Sequence, residues 1–210
     1  APLIGVTAAY ALAVITNKNS SIKYLRKVYD ALYETRPTAV NLKWALNSCY
    51  KKIIKGKQFE RRKIALKLAR TIRNNDIINS KKIALNGYKI IEEIYKRKNK
   101  KINILTHCNA GWLATVDWGT ALAPIFLANR NKIPVHIWVD ETRPRNQGAL
   151  LTAWELKNEN VPYTVIADNA GGYLMSKGEV DLCIVGSDRI TRDGDVCNKI
   201  GTYLKALASK

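Results

Sequence analysis

The sequence predicts an α/β protein in which a helical domain, residues 1–100, precedes a Rossmann-like, mostly parallel, doubly wound sheet, residues 101–210. Two patterns predict this class. In the first half, apolar residues recur at three- and four-residue spacing, which is typical of amphipathic helices. From residue 101 onward, short β-rich apolar runs alternate with segments of crossover-helix length, which is the order of a parallel sheet covered on both faces.

The helical half shows its pattern most clearly early in the chain. The recurring apolar positions there are Ile22, Leu25, Val28, Tyr29 and Leu32. Further along, the pairs Asn79-Ser80 and Asn86-Gly87 are typical of turns and predict interruptions between helices.

Four strands are predicted in the second half, each followed by polar residues. The strands are INILT (102–106), VHIWV (135–139), YTVIA (163–167) and LCIVG (182–186). In sheets of this kind, ligands bind beyond the carboxyl ends of the strands. No GxGxxG or GxxxxGK[ST] motif follows any strand, so a dinucleotide or P-loop nucleotide site is not supported. The polar segments at the predicted binding edge are THCNAG, DETRPRNQG, DN and GSDRITRDGD.

Composition and charge exclude several classes. No apolar run approaches the roughly 18 residues of a membrane span. Four cysteines without a CxxC pair predict reduced thiols and a cytoplasmic location, and with only two histidines no zinc site can be assembled from ligands close in sequence. Residues 1–100 hold 23 Lys and Arg against 6 Asp and Glu. Such a basic half is compatible with nucleic acid, but its basic runs lack interleaved aromatic residues, so we expect solvated helix faces instead.

The residues themselves indicate candidate site groups, each with a structural alternative. Cys108, in the loop after the first strand, is a candidate nucleophile or acid/base thiol, or simply a small buried apolar group. Asp188 suits general acid/base work, or a helix cap or ion pair. Asn198-Lys199 lies at a predicted helix start that suits a phosphate, and Gln147 lies in a polar turn.

Several segments together resemble the S-methyl-5-thioribose-1-phosphate isomerases of methionine salvage. The matching segments are APLIGVTAAYA, TRPTAVNL, THCNAG, DETRPRNQGALLTAWEL, DN followed by YLM, VGSDRI and GDVCNKIGTY. This family shares a superfamily with the regulatory subunits of eukaryotic translation initiation factor 2B and the archaeal ribose-1,5-bisphosphate isomerases. The resemblance covers nearly the whole chain and is weakest across residues 55–100.

The resemblance implies an aldose–ketose isomerase that acts on a phosphorylated pentose, needs no metal or cofactor and forms a homodimer. It implies that Cys108 and Asp188 are the catalytic pair. It also implies a set of substrate-binding residues: Ala1, at the phosphate-binding N-terminal segment, with Arg36, Gln147, Asn198 and Lys199.

Three departures from the family pattern shape the expected activity. The Arg-Gly pair that precedes APLIG in the family is not in this sequence, Leu150 stands where the family usually has Arg, and the chain stops after the KIGTY helix. We therefore expect a chain truncated at both ends, with a sheet incomplete at its C-terminal end and weak or no isomerase activity. The alternatives are a non-catalytic relative of the initiation factor 2B subunits and a gene remnant.

Overall fold

A computed structural model describes residues 1–209. The chain divides into two compact units, Ala1–Ile78 and a second that begins at Asn79. The division falls inside one long helix, Arg61–Lys98. The functional domain limits predicted from the sequence, 1–100 and 101–210, stay a prediction.

The first unit is helical, as predicted. It contains α1 (Pro2–Lys18), α2 (Ile22–Thr35), α3 (Val40–Ile53) and the first half of α4 (Arg61–Lys98). α1 and α3 approach closely because residue 5 is glycine: a Cβ at Gly5 would lie 2.7 Å from the backbone oxygen of Asn41. Buried side chains of this unit include Leu12, Leu25, Leu46, Cys49 and Ile53.

The predicted interruptions of α4 are wrong. The helix runs through Asn79-Ser80 and Asn86-Gly87 without a break. Gly87 has a packing role instead, because a Cβ there would lie 2.4 Å from Cγ of Pro124. The glycine therefore lets α4 approach the start of the next helix, and tertiary packing outweighs its low helix propensity.

The second unit has the predicted parallel sheet. Its strands are β1 (Ile102–Thr106), β2 (Val135–Asp140), β3 (Tyr163–Ile166) and β4 (Leu182–Cys183), in the order β3-β2-β1-β4. All three pairings are parallel. The connecting helices are α5 (Ala123–Arg130), α6 (Ala153–Asn158) and α7 (Ala170–Ser176), and α8 (Thr202–Ala208) follows the last strands.

Both faces of the sheet are covered, which confirms the predicted α/β class. On one face, Ile102, Ile104 and Ile137 pack in a buried cluster with Ile91 of α4 and Phe126 of α5. On the other face, a Cβ at Gly171 of α7 would lie 2.9 Å from the side chain of Leu105 and 3.5 Å from that of Lys205.

The C-terminal part of the sheet differs from the prediction. The fourth strand ends at Cys183 and not at Gly186. It pairs with β1, which itself ends at Thr106, so little partner strand remains beyond Cys183. A short antiparallel hairpin follows, formed by β5 (Arg189–Ile190) and β6 (Val196–Cys197). Among the described helices, none is long and apolar enough to cross a membrane.

Candidate functional site

The loop after β1 places Cys108 in an unusual backbone conformation. Cys108 has a φ of 68°, in the left-handed region that residues with a Cβ seldom adopt. Its N–H donates to Thr142 Oγ1 at 2.8 Å, and its carbonyl accepts from Thr152 Oγ1 at 2.7 Å. Two threonine hydroxyls from different segments thus fix this conformation. Strain of this kind persists where surrounding contacts over-determine it, often at functional sites.

The Cys108 thiol lies within electrostatic reach of the C-terminal segment. Burial raises the pKa of the thiol, and a hydrogen bond with the Asn109 backbone opposes that effect. The charge of Lys199 also lowers this pKa, whereas the charge of Asp188 raises it. Asp188 and Lys199 therefore act on the pKa of the Cys108 thiol in opposite directions, and the raised pKa keeps the thiol protonated at neutral pH.

Asp188 lies in the exposed segment of the β5–β6 hairpin, and the half-buried Asn198-Lys199 pair directly follows this hairpin. The Asp188 N–H donates to the Cys197 carbonyl at 2.9 Å, which fixes its backbone at the hairpin end. Asn198 Nδ2 donates to Thr202 Oγ1 at 3.0 Å. The predicted helix start at Asn198-Lys199 is wrong, because α8 begins at Thr202 after Gly201, whose φ of 102° interrupts helical geometry.

Gln147 precedes a single turn of π-helix, Gly148–Thr152. Its Oε1 is buried without a hydrogen-bond partner among the described residues. Turns of π-helix are frequent at functional sites.

Arg36 and Ala1 belong to the first unit. Arg36 follows α2 at its C-terminal cap and is exposed, and Ala1 is the N-cap of α1. The predicted phosphate-binding set that joins Arg36 with Asn198 and Lys199 stays a prediction.

A buried group of charges, missed by sequence reasoning, lies beside the Cys108 loop. His107 is buried, with Nδ1 2.7 Å from Asp140 Oδ2 and Nε2 2.7 Å from the Ile200 carbonyl. Lys205 Nζ lies 2.9 Å from the same Asp140 oxygen and also donates to the Asp168 carbonyl. Asp140 and His107 are fully enclosed, and Lys205 is 4% exposed. This charge group, His107, Asp140, Asp168 and Lys205, connects the end of β1 to the turn that follows Lys199.

The charge group has the donor set of a metal site but contains its own cation. One donor atom each from His107, Asp140 and Asp168 lies within 4.8 Å of the other two. The Lys205 ammonium bonds to the Asp140 carboxylate, where a metal ion would bind. The arrangement therefore favours an internal ion-pair network over a metal centre. In the sequence, only the position of His107 and Asp140 at strand ends signalled it; nothing marks Lys205 as buried.

Comparison with known proteins decides the family. The model of the initiation factor 2 subunit family matches residues 1–210. The chain belongs to the initiation factor 2 subunit family. Methylthioribose-1-phosphate isomerase of Escherichia coli O45:K1 (strain S88) is a similar member, 58% identical over 211 residues, which cover all of this chain and 57% of that protein.

Two solved structures of this family extend the comparison. The chain is similar to 5-methylthioribose 1-phosphate isomerase of Pyrococcus horikoshii OT3, with a TM-score of 0.88 and 36% identity over 99% of this chain and 59% of that one. It is also similar to the translation initiation factor eIF-2B subunit delta of A. fulgidus, with a TM-score of 0.81 and 35% identity over 99% and 61%. The family resemblance read from the sequence is confirmed, and the chain spans somewhat more than half the length of these relatives.

Proposed function

We propose that this chain carries the active-site portion of a methylthioribose-1-phosphate isomerase. Such an enzyme converts the 1-phosphate of an aldopentose to the corresponding ketose 1-phosphate. The observation that carries the proposal is the left-handed, half-buried Cys108 at the carboxyl end of β1, and the effects of Asp188 and Lys199 on the pKa of its thiol agree with it. The name and 58% identity of the Escherichia coli relative support the substrate class.

The proposed chemistry assigns a proton-transfer role to Asp188 and a protonated thiol to Cys108. The sugar ring opens as the C1–O4 bond breaks, and a hydrogen moves from C2 to C1. The C2 hydroxyl becomes a carbonyl, and its proton passes to O4. Asp188, exposed on its hairpin, transfers protons between oxygen and carbon. Because burial raises the pKa of Cys108, its thiol acts as a proton donor or as an apolar wall of the pocket and not as a thiolate nucleophile.

Phosphate binding is assigned to charged and amide groups near this pair. The Lys199 ammonium and the Asn198 amide lie in the turn before α8 and suit an anion. We assign Gln147 to the sugar hydroxyls, because its buried Oε1 has no hydrogen-bond partner among the described residues. Arg36 and the backbone at Ala1 are proposed to contribute from the helical unit.

A second candidate is a non-catalytic subunit of the initiation factor 2B type. The observation that favours it is the TM-score of 0.81 with the delta subunit from A. fulgidus. In either case we propose a cytoplasmic protein whose partner is a second copy of the chain, with no role in nucleic-acid binding. The two candidates differ in one measurable property, which is turnover of the sugar phosphate.

The test uses a chimera, so that the result reports this chain's residues in a full-length frame. Residues 1–210 replace the matching segment of the Escherichia coli isomerase, and conversion of methylthioribose 1-phosphate is assayed. We expect turnover, and a loss of about 10²–10⁴-fold in kcat for Asp188→Asn. Asp193→Asn, on the same exposed hairpin, is the matched control and should retain full activity.

A folded chimera without turnover, or one in which Asp188→Asn and Asp193→Asn are equally active, contradicts the isomerase proposal and favours the non-catalytic subunit. The turnover of Cys108→Ser is compared with that of Cys197→Ser, in which an exposed thiol is replaced. We expect only the first to reduce turnover.

A further inference from the structure

Glu155 is a buried carboxylate that binds the loop carrying Cys108. The residue is fully buried in α6. Its Oε2 accepts from the Trp112 backbone N–H at 2.7 Å. Its Oε1 accepts from Asn109 Nδ2 at 2.8 Å and from the Leu113 N–H at 3.3 Å. One carboxylate thus satisfies three donors of a single loop.

The loop backbone is shaped to receive this carboxylate. A Cβ at Gly111 would lie 1.8 Å from Glu155 Oε2, so only glycine lets the loop approach this closely. Burial raises the pKa of Glu155, and the hydrogen bonds from Asn109, Trp112 and Leu113 oppose that effect. A carboxylate removed from water at this cost is retained only where its hydrogen bonds compensate.

Thr152, which precedes Glu155 by three residues in the sequence, binds the same loop. It is fully buried, donates to the Cys108 carbonyl at 2.7 Å and accepts from Asn109 Nδ2 at 3.2 Å. Residues three apart on a helix face the same side. Thr152 ends the π-helical turn and Glu155 lies in α6, so both side chains are presented to residues 108–113 from one helical segment.

We propose that Thr152 and Glu155 are positioning residues that fix Cys108 in its left-handed conformation and aim its thiol. The inference rests on the proposed catalytic role of Cys108, but the loop geometry is measurable without turnover. The contacts of Glu155 go to the loop and not to its own helix. This distinguishes a positioning role from ordinary stabilisation of α6.

The test measures amide hydrogen exchange in the full chain, 1–210, together with alkylation of Cys108 by iodoacetamide. In Glu155→Gln only one acceptor oxygen remains, so the amide NH₂ faces either the Trp112 N–H or the donors of Asn109 and Leu113. Either orientation removes an acceptor and weakens the binding of the whole loop. We expect the Trp112 and Leu113 amides to exchange about 10–100-fold faster, while the central β1 amide of Ile104 is unchanged. Alkylation of Cys108 should change relative to the exposed Cys197.

Glu159→Gln is the matched control. Glu159 lies four residues later, and its carboxylate pairs with Arg130 at 2.9 Å and not with the loop. It should leave exchange at Trp112 and Leu113 unchanged.

Thr152→Val provides a second test, also in case Glu155→Gln does not fold. It removes the donor to the Cys108 carbonyl and should change alkylation of Cys108 relative to Cys197 without accelerating exchange at Ile104. Unchanged loop exchange in a folded Glu155→Gln overturns the proposal, as does equal acceleration at Ile104. Unchanged relative alkylation in Thr152→Val also overturns it. Absence of isomerase activity in the chimera would refute the proposed function and leave these results standing.

Discussion

The two sides of the candidate site are built differently. The loop after β1 is partly buried and bound to the core: His107 is buried, and the backbone of Cys108 bonds to side chains of two other segments. The segment 187–197, which carries Asp188, is exposed throughout and is fixed mainly by backbone bonds across its own hairpin. The thiol side is therefore preorganised by the core, and the carboxylate side rests on local contacts.

This difference predicts unequal local stability. Segments with few buried contacts and exposed backbone hydrogen bonds open at lower free energy than segments bound to the core. Matched substitutions on the two sides should therefore have very different effects on the free energy of unfolding.

The largest difference is expected for two aspartates. Asp140→Asn removes the buried anion that pairs with both His107 and Lys205, and loss of one partner of a buried pair costs about 3–5 kcal/mol. Asp193→Asn, on the exposed hairpin, should change the free energy of unfolding by less than about 0.5 kcal/mol. Urea denaturation of the two variants measures both values. Similar losses would show that the charge group is not part of the stable core.

Glycines give the next comparison. A Cβ at Gly148 would lie 1.7 Å from the Asp140 carbonyl oxygen, so Gly148→Ala must displace backbone and should cost about 1–3 kcal/mol or more. At Gly172 of α7 the nearest atom would be the Ala208 Cβ at 3.5 Å, an ordinary contact. Gly172→Ala should be neutral or stabilise by up to about 1 kcal/mol through helix propensity. Thermal unfolding of both variants checks the order, and a tolerated Gly148→Ala would mean that the π-helical turn can move away from β2.

Two threonines allow the two sides of the site to be compared with the same side-chain substitution. Thr142 Oγ1 is buried, accepts from the Cys108 N–H and donates to the Asp140 carbonyl at 3.0 Å. Thr142→Val leaves both groups without a partner and should cost about 1–3 kcal/mol. Thr191 Oγ1 accepts from the Asp195 N–H at 3.0 Å in the exposed hairpin, where water replaces it. Thr191→Val should therefore cost well under about 1 kcal/mol in the same urea titration; equal losses would contradict the proposed inequality.

The features predicted correctly from the sequence are those that short-range residue patterns determine. β1 was predicted with its observed limits because alternating apolar residues and the change at His107 both mark them, and the binding edge follows from strand direction alone. The predicted interruption at Gly87 was wrong because glycine occurs both in turns and where helices pack closely. Only the tertiary contact with Pro124 shows which of the two roles applies here.

The supports of the site could not be predicted in this way. Thr142, Thr152 and Glu155 are 34 to 46 residues from the loop they bind. Lys205 is buried in a helix of seven residues whose sequence gives no reason to expect an enclosed cation. Such contacts depend on the register of whole elements, which a single sequence read locally does not determine.

The smallest expected effect tests whether the two sides communicate. Burial raises the pKa of Cys108. Its alkylation rate should therefore reach half of its maximum at a pH above 9.0, the reference pKa of a thiol. Lys199 lowers this pKa by its positive charge, so Lys199→Ala should shift the profile to higher pH. Asp188 raises it, so Asp188→Asn should shift the profile to lower pH. Each shift should be small, because the aspartate is exposed and water screens its charge. Peptide mass spectrometry resolves Cys108 from the other thiols, and Asp193→Asn is the control for a change in overall charge.

Opposite shifts for Lys199→Ala and Asp188→Asn would place both side chains near the thiol in solution. Two unshifted profiles would instead show that the exposed hairpin does not act on the preorganised loop, and they would remove the basis of the proposed catalytic pair.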